Sequence, residues 1–305
     1  AFVIGDFGAE IEAELLEIAK SLNAKGKIYH QNEALGTAHA ILCAKKALGG
    51  PVVVAFADTL FRANFTIDIE KDGIIWVQKV EDPKAYGVVK INENDVITDF
   101  MEKPEEFVSD LAIIGIYFFK DGFKLSDELQ YLIDNNIREN GEFQLTDALE
   151  NMKQKGAEFY PGKVNEWLDC GNPVAAVHAN KRVLEYTAND ESRKSLKIES
   201  AQILEPCFIG ENVQLKNCTI GPYVSIGNGA CITNSTIKNT IIQNNTTIVD
   251  ADLATSCGIN GAVKHKMYFE LGVAEQDAIS FAAGLALSNQ IPVVNTYSNF
   301  LKRGY

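Results

Sequence analysis

Residues 208–248 read FIGENVQLKNCTIGPYVSIGNGACITNSTIKNTIIQNNTTI. In and beside this stretch Ile209, Leu215, Ile220, Ile226, Ile232, Ile237, Ile242 and Ile248 recur at spacings of 6, 5, 6, 6, 5, 5 and 6. Small or polar residues fill the gaps, and Gly follows three of the isoleucines, in IGPY, IGNG and IGEN. An apolar period near six is neither the 3.6 of a helix nor the 2 of an exposed-face strand. It predicts a solenoid in which each short face adds one rung to a stack. Ordinary short strands of a sandwich are the alternative. The polar stretch TANDESRKSLK just upstream (187–197) reads as a linker.

Working outward from the linker, residues 1–60 alternate strand and helix. Ala1–Gly5 is a short apolar run, Ala9–Leu22 carries apolar residues at helical spacing, and Lys27–His30 is a brief strand. Thr37–Leu48 reads as a second helix and PVVVAFA (51–57) as a strongly apolar strand. That order predicts a mostly parallel sheet covered by helices. Residues 73–120 are richer in strands (GIIWVQKV, YGVVKI, VITDFMEK, LAIIGIYFF), and helices return near 126–138, 144–155 and 173–187.

The chain has 305 residues, enough for two domains and part of a third at about 150 residues each. Its net charge of -13 argues against a nucleic-acid partner over a broad surface, while leaving room for a local phosphate site. No apolar run reaches the length of about 18 residues that a membrane span needs, and no signal peptide is visible. The cysteines Cys43, Cys170, Cys207, Cys218, Cys231 and Cys257 form no CxxC pair. Scattered thiols of this kind fit a cytoplasmic protein.

Several residues could carry chemistry. Asp58 follows the apolar strand, at the carboxyl end where open sheets bind ligands; it can hold a divalent cation or simply cap a turn. Asp169, in NEWLDCGN, is a second carboxylate, and two such groups suit magnesium, a hard cation that shares oxygen ligands with substrate phosphates. In QNEALGTAHA (31–40), Gln31 can donate to and accept from a base edge and Gly36 permits close approach, although Gly36 and Thr37 can equally build a helix N-cap. His39 reads as a helix-surface residue. In MEKPEE (101–106), Lys103 can meet a phosphate as a point charge, or belong to a solvated turn with Glu102. Glu142 of GEFQLTDALE is a loop carboxylate or a helix cap.

Taken in order, QNEALGTAHA, FADT, EDPKAYGVV, EKP, LAIIGIYFF, FQLTDALE and WLDCGN resemble the sugar-1-phosphate nucleotidyltransferases over about residues 1–185. The resemblance implies a Rossmann-like α/β domain at 1–186 that takes a nucleoside triphosphate and a sugar 1-phosphate. The sugar phosphate attacks the α-phosphate in line and pyrophosphate leaves. Catalysis then comes from positioning and charge neutralisation. By motif, Asp58 and Asp169 hold Mg2+, and Gln31 and Gly36 contact the nucleobase. Gly87, Glu102, Gly115 and Glu142 line the sugar pocket, and Lys103 binds the sugar phosphate; Asp58 and Lys103 are the catalytic pair. Ala57 stands where the family commonly has Gly, and Asn172 where it often has Thr. The 305 residues contain no GxGxR, the loop type that cradles the triphosphate in this family. The sheet is therefore expected to be truncated at its start, with an exposed edge, and the chain as it stands to have little turnover. Base and sugar identity stay open.

The 200–248 solenoid, after the 187–199 linker, resembles the left-handed parallel β-helix of hexapeptide-repeat proteins, which serves assembly, so homo-oligomers are an expected partner state. Residues 200–248 contain no histidine, which argues against an acyltransferase. From 249 to 305 the segments DADLATS, ELGVAEQDAISFAAGLAL and IPVVNTYSNFLKRGY resemble part of the pyrimidine-binding domain of transketolase-like enzymes. By that resemblance Glu275 meets the aminopyrimidine of thiamine diphosphate, and Phe300 and Tyr297 pack on it. Binding is expected only with the rest of such a domain. A transketolase-type component and a non-catalytic assembly module are the competing functions.

Overall fold

The computed structural model describes residues 1–64, 66–188, 200–259 and 262–264. It divides into two compact units, Ala1–Trp167 and Leu168–Tyr305.

The first unit runs β1 (Phe2–Ile4), α1 (Ala9–Ser21), β2 (Ile28–His30), α2 (Thr37–Cys43), β3 (Val52–Ala55), β4 (Thr59–Arg62), β5 (Gly73–Lys79), β6 (Val88–Ile91), β7 (Ile97–Met101), β8 (Leu111–Phe119), α3 (Gly122–Asp134), α4 (Leu145–Gln154), β9 (Phe159–Lys163) and β10 (Glu166–Asp169), the strand in which the division falls. β1 and β2 pair in parallel as a sheet of their own. The main sheet has the order β7-β6-β8-β5-β9, with β3 on β8 beside β6.

The expectation of a mostly parallel sheet fails here. β3, β5 and β6 all run antiparallel to β8, β6 and β7 form a hairpin, and only β5–β9 is parallel. For the β6–β7 pair the physical reason is connection length: the short polar turn at 92–96, closed by Asn92 accepting from Asn94 and Val96, can join only antiparallel neighbours.

β8 is apolar throughout because both of its faces are covered. Ile113, Tyr117 and Phe119 pack with Ile75 and Val77 against Leu125, Leu129, Leu132, Leu145 and Leu149 of α3 and α4. Ile114, Ile116 and Phe118 form a second core with Ile74, Trp76, Phe61 and Trp167. α3 starts where it does because Asp121 accepts from the amides of Phe123 and Lys124. β3 is less buried than its sequence suggests, with Val53 half exposed, and among the described strands it pairs with β8 alone. α2 ends at Cys43, short of the expected Leu48, and tightens into a 3₁₀ turn.

The second unit opens with α5 (Pro173–Thr187), capped by Asn172. β11 (Ala201–Ile203), β12 (Cys207–Ile209), β13 (Gln214–Lys216), β14 (Cys218–Ile220), β15 (Val224–Ile226), β16 (Cys231–Thr233), β17 (Thr236–Ile242), β18 (Thr247–Val249), β19 (Asp252–Ile259) and β20 (Ala262–Lys264) then coil as a parallel β-solenoid. The register sorts the isoleucine repeat into three stacks: Ile209, Ile226 and Ile242; Leu215, Ile232 and Ile248; Ile220 and Ile237. Each interior position is filled by its own counterpart one coil away. At one corner Asn217, Asn234 and Asp250 take left-handed backbone (φ 54°, 51° and 55°). Asn217 donates to Asn234 at 3.0 Å, and Asn234 donates to Asp250 at 3.1 Å.

The expected break after Ile248 is not where the coil stops. Leu253 stacks on Ile237 and is fully buried, β19 pairs with β17, and β20 pairs with β18. DADLATS therefore belongs to a rung, because its Leu253 falls at the next interior position. No disulfide links cysteines among the described residues. Among those residues no helix is long and apolar enough to cross a membrane. Residues 189–199 of the expected linker, and Glu275, Tyr297 and Phe300, lie outside the described residues.

Candidate functional site

The loop before α2 is held against the loop before α4. Gly36 has φ 106°, and a Cβ there would lie 2.5 Å from the Phe143 carbonyl oxygen and 2.9 Å from Glu142 Cβ, so only glycine fits. The backbones interlock: Phe143 N–H donates to Leu35 O at 2.8 Å and Ala38 N–H to Phe143 O at 3.0 Å. Thr37 Oγ1 accepts from Leu145 N–H at 2.9 Å and donates to Gln144 Oε1 at 3.3 Å. Gln144 Nε2 donates to Glu142 Oε2 at 3.2 Å. Glu142 therefore orients a neighbour and does not cap α4, whose N-cap is Gln144 without a side-chain bond.

Gln31 sits on the same loop. Its Nε2 donates to Gly36 O at 3.1 Å and lies 3.1 Å from His39 Nδ1. His39, expected on the helix surface, is half-buried there and engaged with Gln31.

A second group gathers at β6, β7 and α4. Gly87 N–Cα geometry would place a Cβ 3.0 Å from Glu102 Oε2 and 3.3 Å from Thr146 Cγ2. Thr146 Oγ1 donates to Glu102 Oε2 at 3.2 Å, and Lys103 Nζ lies 3.7 Å from Glu102 Oε1. Lys103 reaches this place with φ 38°, held by its N–H on Tyr86 O. Burial pushes the Glu102 carboxyl above its ordinary range, against the pull of Lys103 and Thr146. Asp147, next along α4, is pushed up to about 6 by burial and by the charges of Glu139 and Glu102. Its Oδ2 is enclosed and has no hydrogen-bond partner.

Tyr117 is buried in the same unit, and its hydroxyl is pushed far up by burial and by the charges of Glu102 and Asp58. Gly115 lies two residues before it on β8, with φ 83°; a Cβ there would lie 3.0 Å from Phe56 Cδ2 and 3.2 Å from Thr59 Oγ1. Asp58 stands exposed in the turn between β3 and β4, three residues past the end of the strand it was expected to terminate. Asp169 closes β10, belongs to the second unit, and accepts from Gly171 N–H at 2.7 Å.

The structure thus brings Gln31, Gly36 and Glu142 together, and Gly87, Glu102 and Lys103 together. Sequence reading missed Thr146, Asp147 and Tyr117, and left His39 as a helix-surface residue. The first two lie inside the quoted LTDAL, and only the fold turns them toward Glu102. Among the described residues no three His, Cys, Asp or Glu side chains group as a ready metal cage.

Comparison with known proteins places this geometry. The nucleotidyl transferase family model matches residues 1–186, and the chain belongs to that family. A second model, the transketolase pyrimidine binding domain, matches residues 241–305. Its first part, 241–259, is coiled into β17, β18 and β19 of the solenoid. Among relatives, a glucose-1-phosphate thymidylyltransferase of Streptomyces antibioticus is 26% identical over 264 residues, covering 79% of this chain and 72% of that protein. The low-salt glycan biosynthesis nucleotidyltransferase Agl11 of Haloferax volcanii is 26% identical over 279 residues, covering 83% of this chain and 75% of that protein. A nucleoside-diphosphate-sugar pyrophosphorylase from Vibrio cholerae shares the fold, with a TM-score of 0.50 at 20% identity, over 58% of this chain and 78% of that one.

Proposed function

We propose that the first unit serves sugar-1-phosphate nucleotidyl transfer: a nucleoside triphosphate and a sugar 1-phosphate become a nucleotide-sugar and pyrophosphate. The observation that carries this reading is the convergence of Gly87, Glu102, Lys103 and Thr146, a fixed carboxylate with an exposed cation beside it. Glu102 accepts from a sugar hydroxyl, and Gly87 and Gly115, where a Cβ would crowd Glu102 and Phe56, present bare backbone to the ring. Lys103 meets the phosphate of the sugar, lowering its charge repulsion against the triphosphate. Gln31 and Gly36 meet the nucleobase, and Glu142 a further hydroxyl.

Asp58, exposed in the first unit, suits magnesium by its hard carboxylate oxygens, and Asp169 of the second unit offers oxygens of the same kind. The ion would supply charge neutralisation at the reacting phosphates.

The test is calorimetric binding of glucose 1-phosphate and of a nucleoside triphosphate with magnesium, alongside pyrophosphate release. Lys103→Ala is expected to weaken sugar-phosphate binding by about tenfold or more, one charge-assisted contact. Asp58→Asn is expected to lower any release by about a hundredfold. Sugar-phosphate affinity unchanged in Lys103→Ala, or full release from the Asp58→Asn, Asp169→Asn double variant, overturns the reading.

A further inference from the structure

α1 stands apart from the packing of the first unit. α3 and α4 bury their apolar faces in the main core, whereas no residue of α1 belongs to any of the described cores. One side of the helix is tied to its own unit. Ala19 is buried there, a Cβ at Gly26 would lie 2.9 Å from Leu16 Cδ2, and Glu12 Oε1 lies 3.3 Å from His30 Nε2. A second side carries Ile11, Leu15, Ile18 and the capping Leu22. At about 100° per residue these four fall within about 60° of one another, as a single apolar stripe. Leu15 is half-buried, but Ile11, Ile18 and Leu22 are 40%, 46% and 73% exposed.

Single exposed apolar residues need no partner, but a continuous stripe along a helix asks for one. The spacing says which. Intervals of 4, 3 and 4 residues are those of a coiled-coil seam. They also read the same in both directions. A second copy turned end for end therefore meets the stripe in register, Ile11 against Leu22 and Leu15 against Ile18, and two-fold symmetry makes each contact twice. The charges agree with that direction. Asp6, Glu10, Glu12, Glu14 and Glu17 lie toward the start of α1, and Lys20, Lys25 and Lys27 toward or beyond its end. End-for-end pairing sets the acidic start of one helix near the basic end of the other, whereas pairing in the same direction would set like charges together. We propose that α1 is a homodimer contact, in which the stripes Ile11 to Leu22 of two copies pack antiparallel. A free helix of 13 residues is marginal in water, but α1 is already ordered within its unit, so association does not have to fold it.

The experiment is sedimentation velocity on the 305-residue chain from about 1 to 200 µM. A monomer–dimer equilibrium with a dissociation constant on the order of 10 µM is expected, in keeping with a small contact. Ile18→Glu, which places a carboxylate in the seam, is expected to weaken it about a hundredfold with an unchanged circular dichroism spectrum. Leu22→Gln, at the most exposed position, is expected to weaken it about tenfold and serves if Ile18→Glu does not fold. Phe123→Glu, an exposed aromatic on α3, is expected to change nothing. Direction is tested by charge rescue: Leu15→Lys alone is expected to abolish the dimer, and the Leu15→Lys, Ile18→Glu double variant to restore it, because antiparallel helices bring those two positions face to face. A chain that stays monomeric throughout, a dimer indifferent to Ile18→Glu, or one weakened equally by Phe123→Glu overturns the proposal. A double variant that stays monomeric overturns the antiparallel register.

Discussion

Phe119 and Ile232 are equally buried, and they are buried by opposite means. Phe119 lies between a strand neighbour and a helix layer, packed on Tyr117, Phe159 and the apolar faces of α3 and α4. Its partners are unlike residues, and most come from distant parts of the chain. Ile232 is enclosed by Leu215 below and Ile248 above, each the same kind of residue one coil away. The sheet unit spends its variety on two distinct faces and on loops that diverge, and those loops hold the candidate site. The solenoid repeats one solution, and its corners are used for Asn ladders that hold the coil itself. The difference teaches where to look for chemistry: where the packing stops repeating.

Four changes test this contrast, in falling order of effect. Phe119→Ala is expected to cost about 4 kcal/mol and to lower the urea midpoint of the whole first unit, because many unlike partners lose contact at once. Ile232→Ala is expected to cost about 3 kcal/mol, with faster amide exchange confined to the coils on either side, since a solenoid couples nearest neighbours. Exchange that spreads evenly through both units would erase the distinction.

Asp147→Asn is expected to stabilise the protein by roughly 1 kcal/mol at pH 8, after discounting a half-exposed group for solvent screening. The sign follows from proton binding. The folded carboxyl sits near 6 against an ordinary 3.8, so the native state holds the proton more tightly. Its favourable contribution is complete below the ordinary range and is lost as pH rises through about 6. The gain of the variant should therefore vanish near pH 3, and denaturant titrations at the two pH values measure it. A gain that persists in acid would assign the effect to packing. Last, Asn234→Gly keeps the left-handed corner and removes only the ladder bonds, so it should cost about 1 kcal/mol by thermal unfolding. No change would mean that backbone pairing alone holds the corner.

The solenoid was legible because its signal is a period, and a period survives ignorance of the fold. Even so, the coil was cut short at Ile248: Leu253 sits at the next interior position, but DADLATS also resembles a different family. The sheet was less legible. PVVVAFA and LAIIGIYFF announce strands, yet nothing local in them says that β3 and β5 flank β8 antiparallel. The site was legible as motifs and illegible as contacts. Glu102 and Lys103 were marked by EKP, and Glu142 by its loop. That Thr146 would reach Glu102 across 44 positions, or that Gly36 would press on Phe143, requires the loops to be brought together.

By itself, then, the sequence determined the class of each segment: strand and helix texture before residue 188, a six-residue apolar period after 200, and the order of motifs that ties the first unit to its family. These rest on local spacing, which the covalent chain carries intact. Only the tertiary structure decided strand direction in the sheet, the burial that raises Glu102 and Asp147, and the hydrogen bonds that turn the Gln31 amide. Each of these depends on which distant groups exclude water from one another, and desolvation and hydrogen-bond direction exist only once those groups meet.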